Sequence, residues 1–355
     1  MPLTVLSIAY PLAPTGPDAV GGAEQVLTHL DAALLRAGHR SIVVACAGSV
    51  TAGTLVATPA KCEALYEEVR EQAQQQHHRA IARALECWPI DLVHMHGIDF
   101  YTYLPPAGVP VLVTLHLPPT WYPVEIFHLH RPQTFLHCVS AVQRRTCPPE
   151  AMLLPDIENG VPVAACPPQY SKQHFALMLG RICPEKGFHI ALDAAARAHM
   201  PALLAGKVFR YAAHEQYFQH EIVPRLDGVR RFIGPIGGIC KQRLLARARC
   251  LLVPSLVPET SSLVAMEALA CGTPVIAFPA GALPDIVEHG KTGFLVHNVQ
   301  EMAEAMAAVE SLDPARCHDT AQRRFSLDAM IERYFGVYRR LVAEGGQGVA
   351  RRPGQ

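Results

Sequence analysis

The sequence predicts an α/β protein of two Rossmann-like domains in series. Three observations lead to this. Short apolar runs alternate with amphipathic helical stretches, the signature of mostly parallel sheets covered on both faces. The pattern restarts in the second half of the chain. At 355 residues the chain is long enough for two domains of ordinary size. Half of the residues are hydrophobic and only 17% are charged, which provides for packed cores and excludes global disorder. Lys plus Arg and Asp plus Glu each number 31, and zero net charge excludes a protein whose main work is electrostatic capture of nucleic acid.

In the first half, a strand over Leu3–Ala9 leads through a Pro/Gly loop to an amphipathic helix, Ala23–Ala37, ended by Gly38. Apolar strands are expected at Ser41–Ala45, Asp91–Met95, Val111–Leu115 and Phe135–Val139, with a polar Glu/Gln-rich helix between Lys61 and Cys87. After the proline-rich stretch Val161–Gln173, read as a linker, the alternation resumes. Strands are expected at Phe175–Leu179, Ala202–Ala205, Arg231–Ile233, Cys250–Pro254 and Val275–Phe278. Helices are expected at Phe188–Ala198, Tyr211–Val223, Lys241–Ala248 and Leu263–Ala270. A last helix, Leu327–Glu344, is expected to pack back on the first domain. The domains are thus read as 1–165 and 166–326, with 345–355 a disordered tail. Residues 1–165 hold nine Lys/Arg against 14 Asp/Glu and the remainder 22 against 17, a weak pointer to an anion held by the second domain.

Eleven cysteines, odd in number, scattered and without a CxxC pair, read as small core thiols in a reducing compartment. The N-terminal residues lack the basic and apolar regions of a signal peptide. No run approaches the roughly 18 apolar residues of a membrane span. These features favour a cytoplasmic protein, with membrane association unsupported.

The most informative run is Leu251–Phe278, LLVPSLVPETSSLVAMEALACGTPVIAF. A buried strand ends at Pro254-Ser255, a loop carries Glu259, and a helix starting near Ser262 carries Glu267. A helix N-terminus offers unpaired N–H groups and suits a phosphate. Carboxylates in the loop and in the helix reach two hydroxyl-bearing parts of one ligand. This segment resembles the Glu-x7-Glu segment of retaining glycosyltransferases of family 4, which share the GT-B fold, two facing Rossmann-like domains with a deep cleft. The resemblance implies that Glu267 accepts from the ribose of a nucleotide and Glu259 contacts the donor sugar. The amides of Ser261, Ser262, Leu263 and Val264 would then hold sugar and phosphate. One departure is Thr260-Ser261-Ser262, where many relatives carry Phe-Gly, which changes the wall facing the sugar.

A second match is Leu179-Gly180-Arg181-Ile182-Cys183-Pro184-Glu185-Lys186-Gly187. The resemblance implies that Arg181 and Lys186 stabilise the diphosphate as it leaves. Gly21-Gly22, between the first strand and helix, resembles the family's glycine loop facing the donor phosphates. His116, at a strand's carboxyl end, resembles its histidine against the donor sugar, and His94 and His96 resemble its acceptor-side histidines. Asn159-Gly160 resembles its Asn-Gly turn. A metal-site reading of His94, His96 and His116 lacks a spaced carboxylate partner, so no metal is expected. Gly290-Lys291-Thr292 resembles the end of a Walker A loop, but Asp285 stands where that motif needs glycine. The run Lys241–Arg249 reads as a helix with a charged face, not a nucleic-acid patch.

The resemblance implies a nucleotide-sugar donor, uridine diphosphate being the favoured carrier, and a hydroxyl acceptor: a small molecule, a glycan or a lipid-linked group. No cofactor is implied. Competing readings are an epimerase of similar fold and a non-catalytic nucleotide-sugar-binding protein. The second is disfavoured because both carboxylates and both cations occur together. The acceptor and the oligomeric state are not legible.

Overall fold

A computed structural model describes residues 2–59, 67–165 and 171–349. Cys62, Cys166 and the middle of the expected linker lie outside the described residues. The chain divides into two compact units, Met1–Glu158 with Met330–Gln355, and Asn159–Ala329.

The first unit carries strands β1 (Thr4–Ile8), β2 (Arg40–Cys46), β3 (Thr54–Thr58), β4 (Leu92–Met95), β5 (Val111–Leu115) and β6 (Thr134–Cys138). All pairings are parallel, in the order β3-β2-β1-β4-β5-β6. Helices α1 (Gly22–Arg36), α2 (Glu67–Cys87) and α3 (Ala141–Arg145) connect them. The second unit repeats the plan with β7 (Ala176–Leu179), β8 (Ala202–Ala205), β9 (Arg230–Gly234), β10 (Cys250–Val253), β11 (Val275–Ala277) and β12 (Gly293–Leu295). Their order is β12-β11-β10-β7-β8-β9, the same winding. Helices α4 (Phe188–Arg197), α5 (Ala212–Tyr217), α6 (Gly238–Arg247), α7 (Leu263–Ala270), α8 (Leu283–Ile286), α9 (Val299–Ala308) and α10 (Pro314–Arg324) complete it. The chain's last described helix is α11 (Leu327–Val349).

The central strands are buried on both faces, which is why β2, β4, β5 and β10 read as almost unbroken apolar runs. In such a winding the strand order reverses between β1 and β4, and again between β7 and β10. Ligands bind outside the carboxyl ends of the strands at that reversal. The β7 and β10 loops carry Arg181, Lys186 and Glu259.

Several elements depart from the sequence reading. β3 is an additional edge strand, too short and too exposed to show a core pattern. The helix expected over Tyr211–Val223 is α-helical only to Tyr217, then widens into a π-turn and ends in a 3-10 turn containing Pro224. Proline lacks the N–H that regular continuation needs. The described part of the expected linker starts inside the second unit. Val161 and Val163 are buried in its core, and Val161 bridges to Ser326. The last helix continues to Val349, so the expected tail is helical through that residue, and residues 350–355 lie outside the described ones. Nine cysteines are described, all free thiols; seven are buried, while Cys87 and Cys240 are exposed. Among the described residues no helix is long and apolar enough to cross a membrane.

Candidate functional site

In the second unit, backbone contacts bring the β7 and β10 loops together. Leu256 N–H donates to Glu185 C=O at 2.8 Å. Gly187 adopts φ +63°, and a Cβ there would collide with the carbonyl oxygen of Pro254. Only glycine combines that conformation with that approach. The result is an ion pair between Lys186 Nζ and Glu259 Oε1 at 2.5 Å, with Ser255 Oγ donating to the same oxygen. The side chains are 25% and 12% exposed, so water screens this pair less than a surface one.

Glu259 is also held by its backbone. Ala282 N–H donates to Glu259 C=O at 2.8 Å, and Gly281 sits at φ +62° directly beneath. Arg181, beside Gly180 at the end of β7, lies within electrostatic reach of Glu185 and His214.

Glu267 is the one charged residue of α7, a helix otherwise of Leu, Val, Ala and Met. It pairs with Lys241 Nζ at 2.6 Å from α6, the two side chains being 13% and 20% exposed. Lys241 is the residue the sequence reading missed. Its only signal was a basic helix before β10, and the pairing depends on how α6 lies against α7. Lys172 braces both helices: its Nζ donates to Ala246 C=O, Cys271 C=O and Thr273 Oγ1 at 2.7, 3.0 and 2.8 Å. Burial lowers its pKa to about 8.

The α7 N-terminus is left open. Ser262 occupies the cap position but makes no side-chain cap bond, so the amides of Leu263, Val264 and Ala265 in the first turn lack intrahelical acceptors. Ser261 Oγ is buried without a hydrogen-bond partner. Two carboxylates, three cations and an uncapped helix N-terminus thus belong to neighbouring elements at one sheet end. That set can bind an anionic group and, next to it, hydroxyls.

In the first unit, Gly21 caps α1 with extended backbone and Gly22 begins the helix, again without a side-chain cap. The Glu24 carboxylate folds back over Gly21, into the space a Cβ would take. His96 Nδ1 and His116 Nε2 lie 3.0 Å apart with stacked rings. His94, expected on the acceptor side, is fully buried. Its Nδ1 lies 2.8 Å from Tyr338 OH and its Nε2 2.7 Å from Thr114 Oγ1, so both nitrogens are committed inside the fold. Thr114 in turn meets His137 Nε2 at 2.7 Å. Burial lowers the pKa of all four histidines: His116 to about 3, His137 to about 4, and His94 and His96 well below the ordinary value. They are neutral hydrogen-bonding groups at physiological pH.

Comparison with known proteins bears on both halves of the chain. The family model described as Glycosyl transferases group 1 matches residues 173–311, and that described as Glycosyltransferase Family 4 matches residues 20–153. D-inositol 3-phosphate glycosyltransferases from Saccharomonospora viridis and Kribbella flavida are each 36% identical over 129 and 150 residues. Those stretches are 33% and 38% of this chain but only 29% and 35% of the relatives' length. Among solved structures, sucrose-phosphate synthase from Thermosynechococcus elongatus superposes with a TM-score of 0.78 at 20% identity, covering 96% of this chain and all of the other. AviGT4, a glycosyltransferase involved in avilamycin A biosynthesis, gives 0.69 at 23% identity, covering 96% and 98%. Anabaena HepE in complex with UDP-glucose gives 0.67 at 18% identity, covering 98% and 100%. At such identities these likenesses concern the fold. One family model on each half of the chain, and two parallel six-stranded sheets of the same winding, lead to one assignment: the chain belongs to the group 1 glycosyltransferases of the family 4 type, with the GT-B fold.

Proposed function

We propose that the protein transfers a sugar, with retention of anomeric configuration, from a nucleoside-diphosphate sugar to a hydroxyl acceptor. Uridine diphosphate is the carrier we favour. The observation that carries this reading is the pairing of Lys186 with Glu259 and of Lys241 with Glu267 beside the uncapped N-terminus of α7. The first pair supplies an ammonium for the diphosphate and a carboxylate for sugar hydroxyls. Glu267 accepts from the ribose. Arg181 adds a second cation to the leaving group, whose charge grows as the glycosidic bond breaks. The acceptor hydroxyl attacks the face the diphosphate is leaving, and a phosphate oxygen of the leaving group takes its proton. These cations and amides perform the stabilisation a metal would, so the transfer is read as metal-independent.

The relatives and neighbours support the class: inositol-phosphate glycosyltransferases by sequence, and a UDP-glucose complex by fold. The test is incubation with a panel of nucleotide sugars, alone and with acceptors including inositol phosphates, followed by product mass. A glycosylated acceptor with the donor's anomeric configuration is expected. Donor isomerisation without any acceptor would overturn the reading in favour of an epimerase. Isothermal titration with free nucleotides checks the carrier: guanosine or adenosine diphosphate binding more tightly than uridine diphosphate would overturn that choice.

A further inference from the structure

Cys183, Glu185 and His214 have no part in the proposed transfer. Cys183 and Glu185 flank Pro184 in the β7–α4 loop, and His214 lies in the first turn of α5. Each offers one ligand atom, a thiol sulfur, a carboxylate oxygen and a ring nitrogen, and these atoms all lie within 4.8 Å of one another. Cys183 is buried. The His214 Nδ1 atom is buried and has no hydrogen-bond partner, an arrangement that costs stability unless something fills its lone pair or takes its proton.

We infer that Cys183, Glu185 and His214 form a binding site for one divalent transition-metal ion, zinc by ligand chemistry. One thiolate, one imidazole and one carboxylate form a zinc-type set, whereas magnesium and calcium take oxygen ligands. With bonds of about 2.0 Å to N or O and 2.3 Å to S, tetrahedral ligand atoms stand roughly 3.3–3.5 Å apart. Side-chain rotation has to draw the three atoms from within 4.8 Å to that spacing. The thiol gives its proton to solvent on binding, and water takes the fourth position. Thiolate and carboxylate balance the ion's two charges, which makes the site tolerable near the Arg181 guanidinium. The ion joins the loop that carries Arg181 and Lys186 to α5, a staple between segments about 30 residues apart. The site stands on these three side chains and is independent of the donor and acceptor proposed above.

The test is titration of chelator-treated protein with Co(II), a probe whose bands report thiolate ligation and tetrahedral geometry, followed by displacement with Zn(II). Expected are one equivalent bound per chain, a thiolate-to-cobalt charge-transfer band, and a rise in the wild-type Tm with zinc. Cys183→Ser should remove the band. Glu185→Gln and His214→Ala should each weaken binding by about tenfold or more, a scale on which even outer partners of metal sites act. Cys240→Ser, at an exposed thiol, should change nothing. Circular dichroism checks that each variant is folded, and Glu185→Gln keeps the test open if Cys183→Ser does not fold. No thiolate band in the wild type, or a band that survives Cys183→Ser or is unaffected by both Glu185→Gln and His214→Ala, would overturn the site.

Discussion

Lys186 and Glu259 are 73 residues apart in sequence, yet Nζ and Oε1 stand 2.5 Å from each other. They come from loops after β7 and β10, strands that are neighbours in the sheet although two strands, β8 and β9, lie between them in the chain order. The pairing makes each the other's counter-ion before any ligand is bound, so neither can be altered without changing the other's charge environment.

The first prediction follows from that pair. Lys186→Ala and Arg181→Ala should each lower kcat/KM by roughly 2–4 kcal/mol equivalent, the scale of one charge-stabilising donor. On the proposed shared action at one leaving diphosphate, the double variant should lose less than the sum. Glu259→Gln should lower kcat or alter sugar choice while nucleoside-diphosphate affinity holds, because it leaves Lys186 available to phosphate. Steady-state kinetics with nucleotide titration is the check. Single cation variants within a few-fold of wild type would defeat the assignment.

The second concerns Lys241 and Glu267. On the proposed ribose contact, which is equal in ground and transition states, Glu267→Gln should chiefly raise donor KM and weaken the free nucleoside diphosphate. Lys241→Met should do the same by freeing the carboxylate from its set position. A double-mutant cycle on nucleotide affinity should show coupling of roughly 0.5–3 kcal/mol, as expected for directly paired groups. Additive effects would separate Lys241 from the site.

Gly281 offers a test through the backbone. At φ +62°, with Glu259 C=O beneath it, Gly281→Ala meets both left-handed strain and a collision. A loss of at least about 1–2 kcal/mol of stability is expected from the conformation alone. Because the collision displaces Glu259, kcat should also fall in the folded fraction. Denaturant unfolding and kinetics on the same sample separate the two effects. An alanine variant with wild-type midpoint and kcat would refute this role for Gly281.

The buried histidines predict an acid limit. His116 at about 3, and His77 and His137 at about 4, lie below the ordinary value of 6.5 through burial. As pH falls below 6.5 the unfolded chain takes up protons that the folded chain refuses, so stability declines until the folded values are reached. Each histidine contributes a slope of up to roughly 1.4 kcal/mol per pH unit. Urea unfolding across pH 7 to about 5 should show this decline, and His137→Gln should reduce the slope. A variant slope equal to the wild type's would show that His137 does not carry it.

Much of the architecture was legible because it depends on local pattern. Val111–Leu115, Ala202–Ala205 and Leu263–Ala270 are apolar runs or helical repeats bounded by Gly and Pro, and their observed limits match the reading residue for residue. The edge strand β3 and helices α3, α9 and α10 were not recognised. β3 has few buried positions to imprint a pattern, α3 spans five residues, and α10 is mostly polar with three buried residues.

The site divides along the same line. Sequence by itself determined the two-fold repeat of the α/β pattern and put forward Glu259, Glu267, Arg181 and Lys186 as candidates, since a repeat and a family resemblance are carried by residues within single segments. Tertiary structure alone decided partnership: Lys186 with Glu259, Lys241 with Glu267, and His94 with Tyr338 across 244 residues. It turned His94 into a bridge between β4 and the C-terminal helix and made Lys241 a neighbour of the site. The physical reason is that local propensity acts over a few residues. A salt bridge or a buried hydrogen bond forms only after burial has brought distant segments together and removed the water that would otherwise serve each group.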